Sequence, residues 1–109
     1  MDKIEKQDFY TTVYAILKEM PEGRVVTYGM LARLAGQPNY ARWVGRAMAE
    51  VPEHLSLPAH RVVNSQGRTA PHWNDQRALL EKEGVGFRPN GCVDLARYRW
   101  DIFSSQPLD

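Results

Sequence analysis

Apolar positions recur at helical spacing early in the chain. Phe9, Val13, Ile16, Leu17 and Met20 form one stripe, while Lys6, Asp8, Lys18 and Glu19 fall elsewhere on the wheel. The pattern predicts an amphipathic helix from about Lys6 to Met20, closed by Pro21-Glu22-Gly23. Arg24-Val25-Val26-Thr27 is a short β-branched run, and Thr27 is placed to cap a second helix, Tyr28 to Ala35, that Gly36 stops. After the turn Gly36-Gln37-Pro38-Asn39, Asn39 can cap a third helix from about Tyr40 to Ala49. Its wheel turns Ala41, Val44, Met48 and Val51 inward and gives Arg42, Gly45, Arg46 and Ala49 a separate outward face.

Two helices joined by a few-residue turn are a helix-turn-helix candidate. Downstream the elements shorten. Arg61-Val62-Val63 reads as a strand turning at Asn64-Ser65-Gln66-Gly67, Arg68 to Asn74 as a loop, and Asp75 to Glu83 as a helix stopped by Gly84. In the tail, Leu95, Tyr98 and Trp100 are expected against the core, and the first few residues and 104–109 are expected to fray. The expected fold is mainly α: a single winged helix-turn-helix-like domain with short β strands, spanning 1–109.

Composition narrows the function classes. Hydrophobic residues make 43% of the chain and charged ones 25%, and no apolar run approaches the ~20 residues of a membrane span, so no membrane partner is expected. Met1 to Lys6 lacks the apolar region of a signal peptide, which points to the cytoplasm, and to the nucleoid if the source is bacterial. A formal charge of +1 excludes a strongly basic footprint, so nucleic acid would need a local patch. Arg42 and Arg46 flanking Gly45 can supply one, because a glycine lets the backbone approach a polyanion; a solvated basic face is the other reading. The lone Cys92 forms no internal disulfide and no metal-ligand spacing with His54, His60 or His72, so neither metal nor other cofactor is expected.

The stretch Leu57-Pro58-Ala59-His60-Arg61-Val62-Val63-Asn64 is the chemical centre of the chain. Pro58 fixes its own φ and biases Leu57 toward extended geometry, which presents Ala59, His60 and Arg61 on a rigid bend. A plain turn, with His60 on a backbone carbonyl and Arg61 solvated, is the alternative.

Taken in order, Val26-Thr27-Tyr28-Gly29-Met30-Leu31-Ala32, Ala41-Arg42-Trp43-Val44-Gly45-Arg46-Ala47-Met48, Pro58-Ala59-His60-Arg61-Val62-Val63 and Leu80-Glu81-Lys82-Glu83-Gly84 resemble the DNA-binding domain of O6-alkylguanine-DNA alkyltransferases. The resemblance covers roughly Phe9 to Phe87. The family pattern at the bend is Pro-Cys-His-Arg, with the cysteine accepting the alkyl group. Here that position is Ala59, which makes the sequence similar to the alkyltransferase-like branch, whose members carry tryptophan or alanine there. The resemblance implies a non-enzymatic monomer. It would bind O6-alkylguanine in double-stranded DNA, leave the alkyl group in place and flag the lesion for nucleotide excision repair proteins.

The same resemblance implies residue roles. Arg42 would fill the base stack when the damaged nucleotide rotates out, and Tyr28 would press on the adjacent phosphate. The third helix would enter the minor groove with small residues at Ala41, Gly45 and Ala47, while Trp43 and Arg46 depart from that pattern. The lesion pocket would take Tyr28, Pro58, Ala59, His60, Arg61 and Val62, with Arg68 as the loop arginine and Trp73 as a wall. Plain alternatives stay open: Tyr28 packed on the first helix, Trp43 partly in the core, Arg68 a solvated turn residue, Trp73 a loop anchor. In the enzymes the histidine and a glutamate relay a proton from the cysteine. With no thiol to serve, His60 and Glu83 read as a structural hydrogen-bonded pair, and Ala59 leaves room for adducts bulkier than methyl. A cysteine-to-alanine form of an alkyltransferase and a winged-helix regulator of undamaged DNA are the competing functions.

Overall fold

The computed structural model describes residues 5–101, so the expected fraying of the first few residues and of 104–109 lies outside the described residues. The first helix, α1 (Lys6–Lys18), buries Phe9, Val13 and Leu17 completely. Each such side chain contributes about 1.5–3 kcal/mol of apolar burial. The helix ends two residues before the expected Met20. The N–H groups of Glu19 and Met20 bond back to the carbonyls of Ile16 and Leu17, and this tighter last turn still leaves Met20 buried.

Strand β1 (Val26–Thr27) leads directly into α2 (Tyr28–Leu34). The Thr27 hydroxyl accepts the Met30 N–H at 3.1 Å, the cap its position in the sequence predicts. The expected cap of α3 (Ala41–Ala49) is corrected: Tyr40 is the N-cap residue and no side chain caps it. Asn39 is held one residue too early, inside a turn that the Tyr40 N–H closes on the Gln37 carbonyl at 2.9 Å. The inward face of α3 is corrected too. Val44 and Ala47 are fully buried, whereas Ala41, Met48 and Val51 are only partly so. The Tyr14 hydroxyl on α1 donates to the Ala47 carbonyl at 2.8 Å, which fixes this edge of α3 against α1.

A 3-10 turn, Ala59–Arg61, precedes β2 (Val62–Val63), so Arg61 belongs to the turn rather than to the strand. The two strands pair in parallel, Val26 with Val62 and Thr27 with Val63. Successive strand residues face opposite ways, and here the alternation divides the core in two. Val26 and Val62 join Phe9, Leu17, Leu31 and Val44; Val25 and Val63 join Leu80, Val85 and Val93. The second cluster lies beneath α4 (Gln76–Lys82) and a short α5 (Leu95–Tyr98) that the sequence pattern does not announce. Leu95 and Tyr98 pack on it and Trp100 on the first, as expected of the tail. Gly84, at φ +89°, ends α4 in the left-handed conformation that glycine adopts without strain. No helix among the described residues is long and apolar enough to cross a membrane.

Candidate functional site

The parallel strand pair sets the start of α2 beside the Ala59–Arg61 turn, and a cavity of about 270 Å³ opens between them. Tyr28 walls it from α2, Gly45, Met48 and Ala49 from α3, and Ala59 and Val62 from the turn and β2. Ala70, His72 and Trp73 close it from the loop, and Gln76 from α4. The lining is predominantly apolar, which suits the face of a planar aromatic ligand better than a charged one.

Of the expected pocket residues, the fold brings together Tyr28, Ala59, Val62 and Trp73 and leaves out Pro58, His60, Arg61 and Arg68. A 3-10 turn rotates about 120° per residue, so consecutive side chains diverge. Ala59 points at the cavity, and His60 and Arg61 turn away from it. His60 Nε2 lies 2.6 Å from Glu83 Oε2. Arg61 grips the same carboxylate twice, Nε to Oε1 at 2.9 Å and Nη2 to Oε2 at 2.8 Å, while its Nη1 donates to the Met20 carbonyl at 3.0 Å. The Gly23 N–H adds a fourth donor at 3.1 Å. Burial alone would raise the Glu83 carboxyl, but the bonds from Arg61, His60 and Gly23 hold it down at about 2. This carboxylate therefore fastens the site-bearing turn to the end of α1 and the end of α4. Pro58 serves as the N-cap residue of that turn.

Arg68 is placed elsewhere. The Asn64 side chain accepts the Arg68 and Gln66 N–H groups at 2.9 and 2.8 Å, closing a turn whose arginine lines a separate cleft with Thr69, Pro71 and Gly91. The cavity rim that the sequence reading gives to Arg68 belongs instead to His72 and to Trp73, which is 36% exposed.

Gln76 is the residue that sequence reasoning missed. Its side chain is buried, accepts the Ala70 N–H at 2.6 Å, and donates to the carbonyls of His60 and Val62, each at 2.9 Å. One amide so ties the loop, the 3-10 turn and β2 into a single wall. Its signal in the sequence is a polar residue on the inward stripe of α4, one helical turn before Leu80.

On α3, Arg42, Arg46 and Ala49 are exposed, and a methyl built on Gly45 would meet nothing within 4 Å. Packing inside the molecule therefore does not require that glycine, although it costs the helix roughly 0.5–1 kcal/mol relative to alanine. Ala41 is partly buried, and Trp43 rests against the core with the Arg46 guanidinium 5.2 Å from its ring centroid. Burial raises the Tyr28 phenol above its ordinary 10.0, so the hydroxyl stays a neutral donor at the cavity edge. No group of three or more His, Cys, Asp or Glu among the described residues is placed to hold a metal ion.

The family model of the 6-O-methylguanine DNA methyltransferase DNA-binding domain matches residues 8–85. The DNA base-flipping protein of Escherichia coli (strain K12) is 46% identical over 104 residues, which cover 92% of this chain and 81% of that protein. Alkyltransferase-like protein 1 of Schizosaccharomyces pombe is 38% identical over 102 residues, covering 85% and 94%. The crystal structure of S. pombe Atl1 in complex with damaged DNA containing O6-carboxymethylguanine superimposes with a TM-score of 0.80 at 37% identity, over 90% of this chain and 99% of that one.

Proposed function

The chain belongs to the family of the 6-O-methylguanine DNA methyltransferase DNA-binding domain, in its alkyltransferase-like branch, and from that membership we propose that it recognises alkylated guanine in duplex DNA without repairing it. The observation that carries this reading is the apolar cavity of about 270 Å³ with Ala59, in place of a nucleophile, in its wall. A methyl group has no lone pair to attack an alkyl carbon, so a base that enters can be held and its adduct stays on O6. Cys92 offers no substitute: it is buried and does not line the cavity.

Function then follows from placement. Exposed Arg42 and the bare backbone at Gly45 lie one helical turn apart on α3, and Gly45 is also a cavity wall, so the DNA-facing helix and the pocket share one mouth. With α3 in the minor groove, a flipped guanine passes between Gly45 and Tyr28. The neutral Tyr28 hydroxyl donates to the adjacent phosphate. Rotation out of the stack costs a few kcal/mol, and the Arg42 guanidinium recovers part of it by stacking in the vacated space. The protein acts as a monomer in this scheme, and the held complex is the signal that nucleotide excision repair proteins read.

A fluorescence-anisotropy titration with matched duplexes, one carrying O6-methylguanine and one undamaged, tests the reading. Tighter binding of the damaged duplex is expected. Equal affinity for the two would remove the base-holding role and leave a general DNA-binding domain.

A further inference from the structure

Lys6, Tyr10 and Tyr14 follow one another at single-turn spacing along α1 and line a cleft of about 440 Å³ that Glu50 and Pro52 close just beyond α3. It shares no lining residue with the base cavity. Tyr10 is only 6% exposed, and its hydroxyl is buried without a hydrogen-bond partner among the described residues. A buried hydroxyl in that state costs stability, so the position calls for a partner from outside the chain. Burial and the neighbouring Glu50 carboxylate push the Tyr10 phenol up, so the hydroxyl stays protonated, yet Glu50 does not stand in hydrogen-bonding position to it. Tyr14 offers the cleft only its ring, 6.0 Å from that of Tyr10 between centroids, because its hydroxyl is committed to the Ala47 carbonyl. The cleft already shows which charge it accepts. The Lys6 ammonium lies 5.4 Å from the Tyr10 ring centroid and 3.6 Å from Glu50 Oε1. The side chains of that ion pair are 52% and 49% exposed, and a pair so open to water contributes little, so the resident cation is readily displaced.

We infer that this cleft receives an arginine side chain from a protein partner, with the Tyr10 and Tyr14 rings as its bed and the Glu50 carboxylate as its counter-charge. The ligand class follows from the donors required. A guanidinium carries several N–H donors in a planar fork, so it can bond the Glu50 carboxylate and the Tyr10 oxygen at once while its face lies on the tyrosine rings. An ammonium lacks that fork, and Lys6 accordingly meets the ring and the carboxylate and leaves the hydroxyl unpartnered. DNA does not fit here, since its phosphates would face the carboxylates of Glu5 and Glu50 in the lining. The inference rests on the reading above, in which a second protein recognises the held complex. Separate linings leave the cleft and the base cavity free to be filled together.

The test is a proton–nitrogen NMR titration of the full chain with the peptide acetyl-Gly-Gly-Arg-Gly-Gly-amide, beside the same peptide carrying citrulline, which keeps the shape of arginine without its charge, and beside free arginine. The arginine peptide is expected to shift the amide signals of Tyr10, Tyr14 and Glu50, and the citrulline peptide to bind roughly tenfold more weakly. Y10F and E50Q should each weaken the arginine peptide roughly tenfold, the loss of one charge-assisted hydrogen bond. K6Q, which removes the resident cation, should bind it more tightly, whereas K18Q, which removes the same charge elsewhere on α1, should match the parent. Y10F should also melt at or above the parent temperature, because the hydroxyl it lacks bonds nothing in the free protein. A lower melting temperature would show that the hydroxyl is held internally and would overturn the inference. Equal binding of the two peptides, parent-like affinity in Y10F or E50Q, or an equal gain in K6Q and K18Q overturns it as well. Tighter binding of free arginine than of the peptide overturns the protein-partner assignment in favour of a small-molecule site. In anisotropy titrations, Y10F and E50Q are expected to keep the parent's ratio of damaged to undamaged affinity, and a changed ratio assigns these residues to DNA and overturns the cleft. A parent protein without lesion preference overturns the base-holding reading, and the peptide titration still decides the cleft.

Discussion

Replacing Glu83 by Gln removes a charge that Arg61, His60 and the Gly23 N–H converge on, while leaving an isosteric acceptor. Folding lowers this carboxyl from its ordinary 4.5 to about 2, a gap of 4.5 − 2 = 2.5. At about 1.4 kcal/mol per unit, that gap corresponds to roughly 3 kcal/mol of stability, of the same order as the 3–5 kcal/mol lost when one partner of a buried pair is deleted. The side chains of Glu83 and Arg61 are only 10% and 13% exposed, so water recovers little of the loss. Because the folded value is the lower one, the stabilisation is complete above about pH 4.5 and disappears as the pH falls toward 2. Urea unfolding between pH 7 and pH 3 reads both effects. E83Q is expected about 3 kcal/mol less stable at pH 7, with a shallower decline on acidification, so that the two curves converge. Lesion binding by the folded variant should be unchanged, since Glu83 does not line the cavity. An E83Q curve that stays parallel to the parent curve, or lies within about 0.5 kcal/mol of it at pH 7, would refute the buried-pair account.

Gly45→Ala should raise stability by about 0.5–1 kcal/mol, because the methyl enters open space on a helix, yet weaken DNA binding by obstructing the pocket mouth; thermal melting and anisotropy read the two signs, and unchanged affinity would mean that DNA does not approach this backbone. Arg42→Ala should reduce affinity for the damaged duplex more than for the undamaged one, and an equal reduction would remove the stacking role. Tyr28→Phe should cost about 0.5–1.5 kcal/mol of binding through the lost phosphate hydrogen bond; full retention returns Tyr28 to a packing residue. Gln76→Leu leaves the Ala70 N–H and the His60 and Val62 carbonyls without their amide, so urea unfolding should show a loss of about 1–3 kcal/mol, and a neutral result would mean that water takes over those groups.

The first half of the fold is legible in the sequence because its elements are periodic and locally closed. Phe9, Val13 and Leu17 declare the buried stripe of α1, and Thr27 caps α2 through its own side chain. The α3 register is less legible. Met48 lines the cavity while the Tyr14 hydroxyl bonds the Ala47 carbonyl, and neither contact lies within the helix itself. In the site, Tyr28, Ala59, Val62 and Trp73 meet as expected. His60 and Arg61 do not join them, because a proline-led bend in the sequence does not reveal a 3-10 rotation that separates consecutive side chains. Gln76 was hidden for a related reason: its partners are backbone groups of three other segments, and backbone leaves no trace in residue identities. The four residues of α5 fall below the length at which a helical period can be read.

The central claim is retention without chemistry, and intact-mass spectrometry tests it most directly. The purified protein is incubated with an O6-methylguanine oligonucleotide duplex under conditions where anisotropy shows the complex to be saturated, and both components are then weighed. An unmodified protein mass beside an oligonucleotide still carrying its methyl group is the predicted result. A protein heavier by one methyl, or an oligonucleotide lighter by one, would contradict the account.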